Sequence, residues 1–485
     1  MPCTTIMVGK KATYDGSTMM ARNEDSGPAA FCAKKFIAVL PEQQPRHYKS
    51  VLCGFEMELP ETPMRYTAMP NALPDDGIWG EAGFNEENIA MSATETLTSN
   101  SRVLGADPLE ENGIGEEDMV TVVLPYIHSA REGVERLGAI IEKYGTCEMN
   151  GIGFQDMDEI WWFESVGGHH WMAKRVPDDA YMVGPNQQGI DYFDFEDAYG
   201  EKKEHMCDPD MIDFVRRNHL DRGMKAIPLK ENTEFDARAA FGSRTDSDHS
   251  YNTPRAWFME KWLNPHTYIW EGPDAEYTPE SDDLPWCLIP EKKITPEDIK
   301  YVLSSYYQGT EYNPYGKYGD ASQRGRYRPI GINRNNFVAI TQLRPYVPKE
   351  IAAVEWICEG SNAFNAMVPF YGNVTTTPAY LADTTGEVST DNFYWANRLI
   401  GALTDAHYSQ CIAYVERYQL RLAAKGHAML RECDAALPET DVCAYLEACN
   451  QRMSDEAQKM TSDVLGKVLD SASLCMKNAF ARSDA

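Results

Sequence analysis

The sequence predicts a layered α+β fold, and three observations carry that prediction. The first forty residues alternate as strands do, residues 116–144 carry helical apolar spacing, and strand-like segments return near residue 336 before a helical C-terminus. Domain size sets the frame: 485 residues can bury a large core, as one domain with insertions or as two or three domains. Hydrophobic residues at 43% and charged residues at 25% are those of an ordinary globular chain, which argues against global disorder.

In chain order, Thr4, Ile6 and Val8 alternate with Cys3, Thr5 and Met7, Gly9 to Gly16 form a connection, and STMMAR resumes extended character. A hairpin with Val8 opposite Ser17 is the simplest account, and counting back along both strands puts Cys3 opposite Arg22. The Pro/Glu-rich stretch from Pro41 to Pro74 reads as connections, and GIWGEAGFNEENIAMSATET as a turn entering a buried strand. Val120, Val123, Leu124 and Ile127, then Val134, Leu137, Ile140 and Ile141, predict helix interrupted near Pro125. GIGFQDMDEIWWFESVGGHHWMAKRVPDDAYMVGP has the rhythm of a meander in a second sheet. Residues 191–330 are irregular and acidic and predict insertions, with helices near Asp210–Arg222 and Pro296–Tyr307. Strands return at NFVAITQLRP and AAVEWICEG, and amphipathic helices are expected from about Asp405 to Leu437 and Glu439 to Ala481. The division expected is a core over 1–400 and C-terminal helices over 401–485, which pack on the core or between subunits of a homo-oligomer.

Forty-five Lys and Arg against 74 Asp and Glu give a net charge of −29, which opposes phosphate backbones and anionic lipid. Nucleic acid and membrane are therefore not expected partners. No run of eighteen apolar residues appears, and the N-terminus lacks a basic n-region and an apolar h-region, so a cytoplasmic location is expected. Twelve cysteines lie scattered without a C-x-x-C pair, and most are expected to be reduced and buried.

Cys3 is different because of its position. A cysteine at a mature N-terminus joins nucleophile and base in one residue: the reference α-amine pKa of about 7.7–8.0 leaves a neutral fraction near pH 7 that can accept the thiol proton. Arg22 would favour the thiolate and Asp25 could orient the amine. Met1 and Pro2 must then be removed, either by Cys3 attack on the Pro2 carbonyl or by aminopeptidases. Other signals point elsewhere. His169 and His170 are adjacent on a strand, where side chains face opposite ways, and no third ligand follows at a recurring spacing, so no metal is expected. Asp156, Asp158 and Glu159 lack the calcium-loop spacing and read as a hairpin turn, and Ser243, Asp246 and His249 are triad atoms without evidence of triad geometry.

The motifs CTTIMVGKKATYDGSTMMARNED, GFNEENIAMSATET, GGHHWMAKRVPDDAYMVGPNQ and YNTPRAW, and more loosely QGTEYNPYG, RPIGINR and MVPFYGN, resemble the bacterial dipeptidases with an N-terminal cysteine nucleophile. These are relatives of bile salt hydrolase and penicillin V acylase. The resemblance implies the four-layer αββα sandwich of N-terminal-nucleophile hydrolases and a cofactor-free dipeptidase acting through a Cys3 thioester. It assigns Cys3 as nucleophile with Arg22 and Asp25 beside it, Asn186 as oxyanion donor, and Arg255 as the second arginine near the nucleophile. Glu95 falls where some acylases place an Asn, and an ionised carboxylate cannot donate to an oxyanion. Glu95 either binds the α-ammonium of a dipeptide or pairs with a structural Arg. Two other functions are weighed: the same mechanism on N-acyl amides, and a non-catalytic acidic scaffold with Cys3 unprocessed.

Overall fold

The computed structural model describes residues 3–27, 30–223 and 235–477, apart from the side chains of residues 93–95. Its architecture is α+β, built on two large antiparallel sheets. The first has seven strands in the spatial order Cys287–Leu288, Tyr181–Gly184, Cys3–Val8, Thr18–Asp25, Asn335–Leu343, Ala353–Glu359 and Val368–Tyr371. The second has six, in the order His205–Cys207, His170–Arg175, Ile160–Val166, Asn150–Gln155, Ala90–Thr96 and Ala82–Phe84.

The expected N-terminal hairpin is present and lies in the middle of the first sheet, where every residue of both strands is buried. Its register differs from the expected one. Val8 faces Met19, Cys3 faces Glu24, and Thr5 faces Arg22. The connection is longer than Gly9–Gly16 because Ser17 still belongs to it: its N–H donates to Asp15, its carbonyl accepts from Thr13 Oγ1, and Gly16 sits at φ +86°. Side chains alternate with period two, so a slip of two residues leaves Cys3 and Arg22 on one face of the sheet.

The meander is also corrected in part. Asn150–Gln155, Ile160–Val166 and His170–Arg175 do form consecutive hairpins of the second sheet. Tyr181–Gly184 instead crosses to the first sheet and pairs with the Cys3 strand, Thr5 against Gly184.

The sheets pack face to face through methionine and glycine. A Cβ built on Gly153 of the second sheet would lie 2.2 Å from Met7 Cε and 2.3 Å from Met20 Sδ of the first. Met7, Met20, Phe84, Trp162, Met172, Met182 and Leu343 share this core. On its other face the first sheet buries Ile6, Val8, Met19 and Ile340 with side chains of the helices Thr253–Leu263, Pro296–Leu303, Phe393–Ala406, Tyr408–Ala435 and Val442–Leu474. The second sheet buries Ile152, Phe154, Trp161 and Phe163 with Val120, Val134, Leu137 and Ile141.

The helical stretch predicted over 116–144 is Glu116–Val123 and Ala130–Tyr144, with a 3-10 turn Leu124–Tyr126 at the proline. Asn85 Nδ2 donates to the Leu124 and Ile127 carbonyls at the break. The two expected C-terminal helices are Tyr408–Ala435 and Val442–Leu474, and a further helix, Phe393–Ala406, precedes them across a break at His407; residues 478–485, which the last helix was expected to enter, lie outside the described residues. Among the described residues no helix is long and apolar enough to cross a membrane. All twelve cysteines are unbridged, but only Cys3, Cys207, Cys358, Cys411, Cys433 and Cys449 are buried, fewer than expected.

Candidate active site

Cys3, Arg22, Asp25 and Arg255 are completely buried; Arg22 reaches the Cys3 sulfur and Arg255 the Cys3 carbonyl, while Asp25 ends the neighbouring strand and bonds Asn335 and Arg328. Arg22 donates from Nη2 to Cys3 Sγ at 2.6 Å and to Glu116 Oε1 at 2.8 Å, while Nη1 lies 2.7 Å from Glu81 Oε2. The guanidinium thus spans the diagonal that the register leaves between Cys3 and Arg22, which a long side chain can reach. A cation against sulfur favours the thiolate. The acids around it are numerous: Lys34 Nζ lies 2.6 Å from Glu24 and 3.9 Å from Glu81, and Glu148 accepts from the Glu116 N–H at 2.8 Å. Burial pushes Glu81 well above the usual carboxylate range; Arg22 opposes that push and Glu24 adds to it. Burial, with Glu116 nearby, also raises Glu148.

On the other face of the hairpin, Arg255 occupies the first turn of the helix Thr253–Leu263. Its Nη1 donates to the Cys3 carbonyl and, at 2.7 Å, to Thr4 Oγ1, and its Nη2 donates at 2.7 Å to both Asn186 Oδ1 and Asn252 Oδ1. Asn186 follows the Tyr181–Gly184 strand. Arg255 joins Asn186 to the Cys3 backbone. The Asn186 Nδ2 atom is buried and makes no hydrogen bond among the described residues.

Asp25 receives Asn335 Nδ2 on one oxygen and the Arg328 guanidinium on the other. Arg328 and Arg255 both lie over the Tyr251 ring, at 5.0 and 5.1 Å from its centroid, and Arg334 donates to the Tyr251 hydroxyl. Burial and then Arg334 push Arg328 below its ordinary value, and the nearby Cys3 draws it back up. Sequence reading missed Arg328, Asn335, Glu81 and Glu116. The RPIGINR segment holds Arg328 and Arg334, and its two arginines in an acidic chain were the available signal.

Glu95 lies on the Ala90–Thr96 strand with its backbone opposite Gly151, and its side chain lies outside the described residues. His169 and His170 do not diverge as adjacent strand residues would. The strand starts only at His170, after Gly167 at φ +73°, and both Nδ1 atoms meet Asp107, at 3.2 and 2.7 Å. Asp156 closes the expected turn by accepting from the Asp158 and Glu159 N–H groups. Ser243 bonds Thr98, and His249 bonds Asp282 at 3.0 Å, so these two are not joined as a triad. Among the described residues no group of three or more His, Cys, Asp or Glu side chains is arranged to hold a metal ion.

The chain is similar along its length to several named proteins. A protein named dipeptidase from Bifidobacterium longum (strain NCC 2705) is 51% identical over the whole of both chains. A probable dipeptidase A from Streptococcus pyogenes serotype M3 (strain SSI-1) is 54% identical, again over the whole of both. Dipeptidase A from Lactobacillus helveticus is 44% identical over 96% of each. The family model for peptidase family C69 matches residues 2–421, and the chain belongs to that family.

Proposed function

We propose that this chain is a dipeptidase that hydrolyses dipeptides through a thioester on Cys3, with the freed Cys3 α-amine as general base. One observation carries the reading: the Arg22 guanidinium donates to Cys3 Sγ at 2.6 Å inside a fully buried site. The relatives' names support the substrate class and favour dipeptides over N-acyl amides. In this reading the amine takes the thiol proton as sulfur attacks the scissile carbonyl, and the amine returns it to the leaving nitrogen. Water, deprotonated by the same amine, then opens the thioester.

Each further residue has a role. Arg22 stabilises the thiolate. Asp25 orients the amine, for a carboxylate with two partners still has lone pairs to offer. Asn186 donates from Nδ2 to the oxyanion, and Arg255 holds Asn186 and the Cys3 carbonyl in place. Glu95 binds the substrate ammonium. Two antiparallel sheets with helices against their outer faces support the αββα N-terminal-nucleophile sandwich as the catalytic core, over residues 1–400 with insertions at 191–330.

The test is intact mass and N-terminal sequencing of the purified protein, with dipeptide turnover by the Cys3→Ala variant. The expected result is a chain beginning at Cys3 and a variant without measurable turnover. Full activity in a chain that keeps Pro2, or in Cys3→Ala, would sink the mechanism.

A further inference from the structure

Arg22 is held at both ends. Glu116, the first residue of its helix, meets Nη2 at 2.8 Å, and Glu81 meets Nη1 at 2.7 Å. A guanidinium is planar and rigid, so fixing both terminal nitrogens also fixes the Nη2 proton aimed at Cys3 Sγ. Glu81 is itself tightly placed: it is 2% exposed and sits at φ +62°, a backbone conformation that favours glycine. Such a conformation in a buried charged residue marks a position that its surroundings over-determine.

The charged groups around this pair are Arg22 and Glu24 of the hairpin, Lys34, and Glu116 of the helix. Glu148 faces Glu116, and Glu359 faces Lys34. The acids outnumber the two cations, so full ionisation of every carboxyl is unfavourable. Burial pushes both Glu81 and Glu359 well above the ordinary carboxylate range, opposed by Arg22 and Lys34 respectively. Glu116 and Glu81 each offer a carboxyl oxygen to one end of the Arg22 guanidinium.

We propose that Glu81 and Glu116 are positioning residues that together aim Arg22 at the Cys3 sulfur by holding both ends of its guanidinium. This rests on Cys3 being the nucleophile, and it adds what sets the acidity of that thiol.

The experiment follows iodoacetamide labelling of Cys3 against pH, read on the N-terminal peptide by mass spectrometry, alongside kcat for a dipeptide. It compares wild type with Glu81→Gln, Glu81→Ala and Glu116→Ala. Glu81→Ala frees one end of Arg22, raises the midpoint, and lowers kcat by about 10–100-fold. Glu81→Gln keeps an oxygen facing Nη1, so it recovers most of what Glu81→Ala loses in both readouts. Glu116→Ala frees the other end of Arg22 and shifts both readouts in the same directions as Glu81→Ala. A Glu81→Gln variant as impaired as Glu81→Ala, or a Glu116→Ala variant with an unchanged labelling midpoint, would overturn the positioning role. So would a Glu81→Ala variant that loses thermal stability while its labelling midpoint stays put. The labelling profile reports on the thiol whatever reaction it performs, so failure here is distinct from failure of the Cys3→Ala test.

Discussion

Arg255 donates from Nη2 to the side-chain oxygen of Asn186 at 2.7 Å, and this bond decides what Asn186 can offer. A guanidinium has donors only, so the amide oxygen must face it and the amide nitrogen must face away. That nitrogen is buried and finds no acceptor among the described residues. An unspent buried donor costs roughly 1–3 kcal/mol, which an enzyme can recover when an oxyanion forms. Asn186→Ala should therefore lower kcat by about 10²–10³-fold with little change in KM. Arg255→Lys should lower kcat too, since a single ammonium cannot serve Cys3, Thr4, Asn186 and Asn252 in one plane. Steady-state kinetics on a dipeptide check both, and unchanged kcat in Asn186→Ala would remove it from the oxyanion site.

Arg328 offers a second prediction because it joins Asp25 to the surroundings of Cys3. Arg328→Met leaves a buried carboxylate with Asn335 as its remaining partner among the described residues, and breaking a buried pair in this way costs about 3–5 kcal/mol. Urea unfolding should report a loss of that order. Asp25→Asn in the Arg328→Met background should recover part of it, since the uncompensated charge is gone. No recovery would mean that the arginine acts through packing on Tyr251 instead.

A third prediction concerns pH and Glu355. Burial raises this carboxyl to about 8, and the Thr67 hydroxyl, 3.4 Å away, lowers it only in part. The folded state therefore keeps a proton that the unfolded state releases near the ordinary value of 4.5. Between those values the native state binds more protons than the unfolded one, so this group makes stability fall as pH rises, by at most about 1.4 kcal/mol per pH unit. The contribution is fully present below pH 4.5 and is lost as pH passes through 8. Glu355→Gln should flatten the slope, and urea midpoints at pH 5, 6, 7 and 8 would show it. An unchanged slope would mean that Glu355 is ionised in the fold.

The hairpin shows how far local pattern reaches. Alternation at Thr4, Ile6 and Val8 gave the strand, and the register was read two residues off because Ser17 sits in a longer turn. The error did no harm to the face on which Cys3 and Arg22 meet, because two residues is one full strand period. Tyr181–Gly184 shows the opposite case. Its local rhythm is that of the strands before it, and nothing local says that its partner edge is Cys3–Val8 in the other sheet. Arg328 and Glu81 were unreadable for a similar reason. A buried charge is recognised by its counter-charge, and here the partners are Asp25, some three hundred residues away, and Arg22.

By itself the sequence determined where strands and helices lie, the thiol near the start of a strand, and the family motifs around it. These are legible because side-chain periodicity and the short motifs around Cys3 are properties of neighbouring residues. Tertiary structure alone decided which strands flank that thiol, that Arg255 fixes Asn186, and that Glu81 and Glu116 grip Arg22. Those relations depend on burial, where each charge or amide must find its partner across the fold and the low-dielectric surroundings make the match matter.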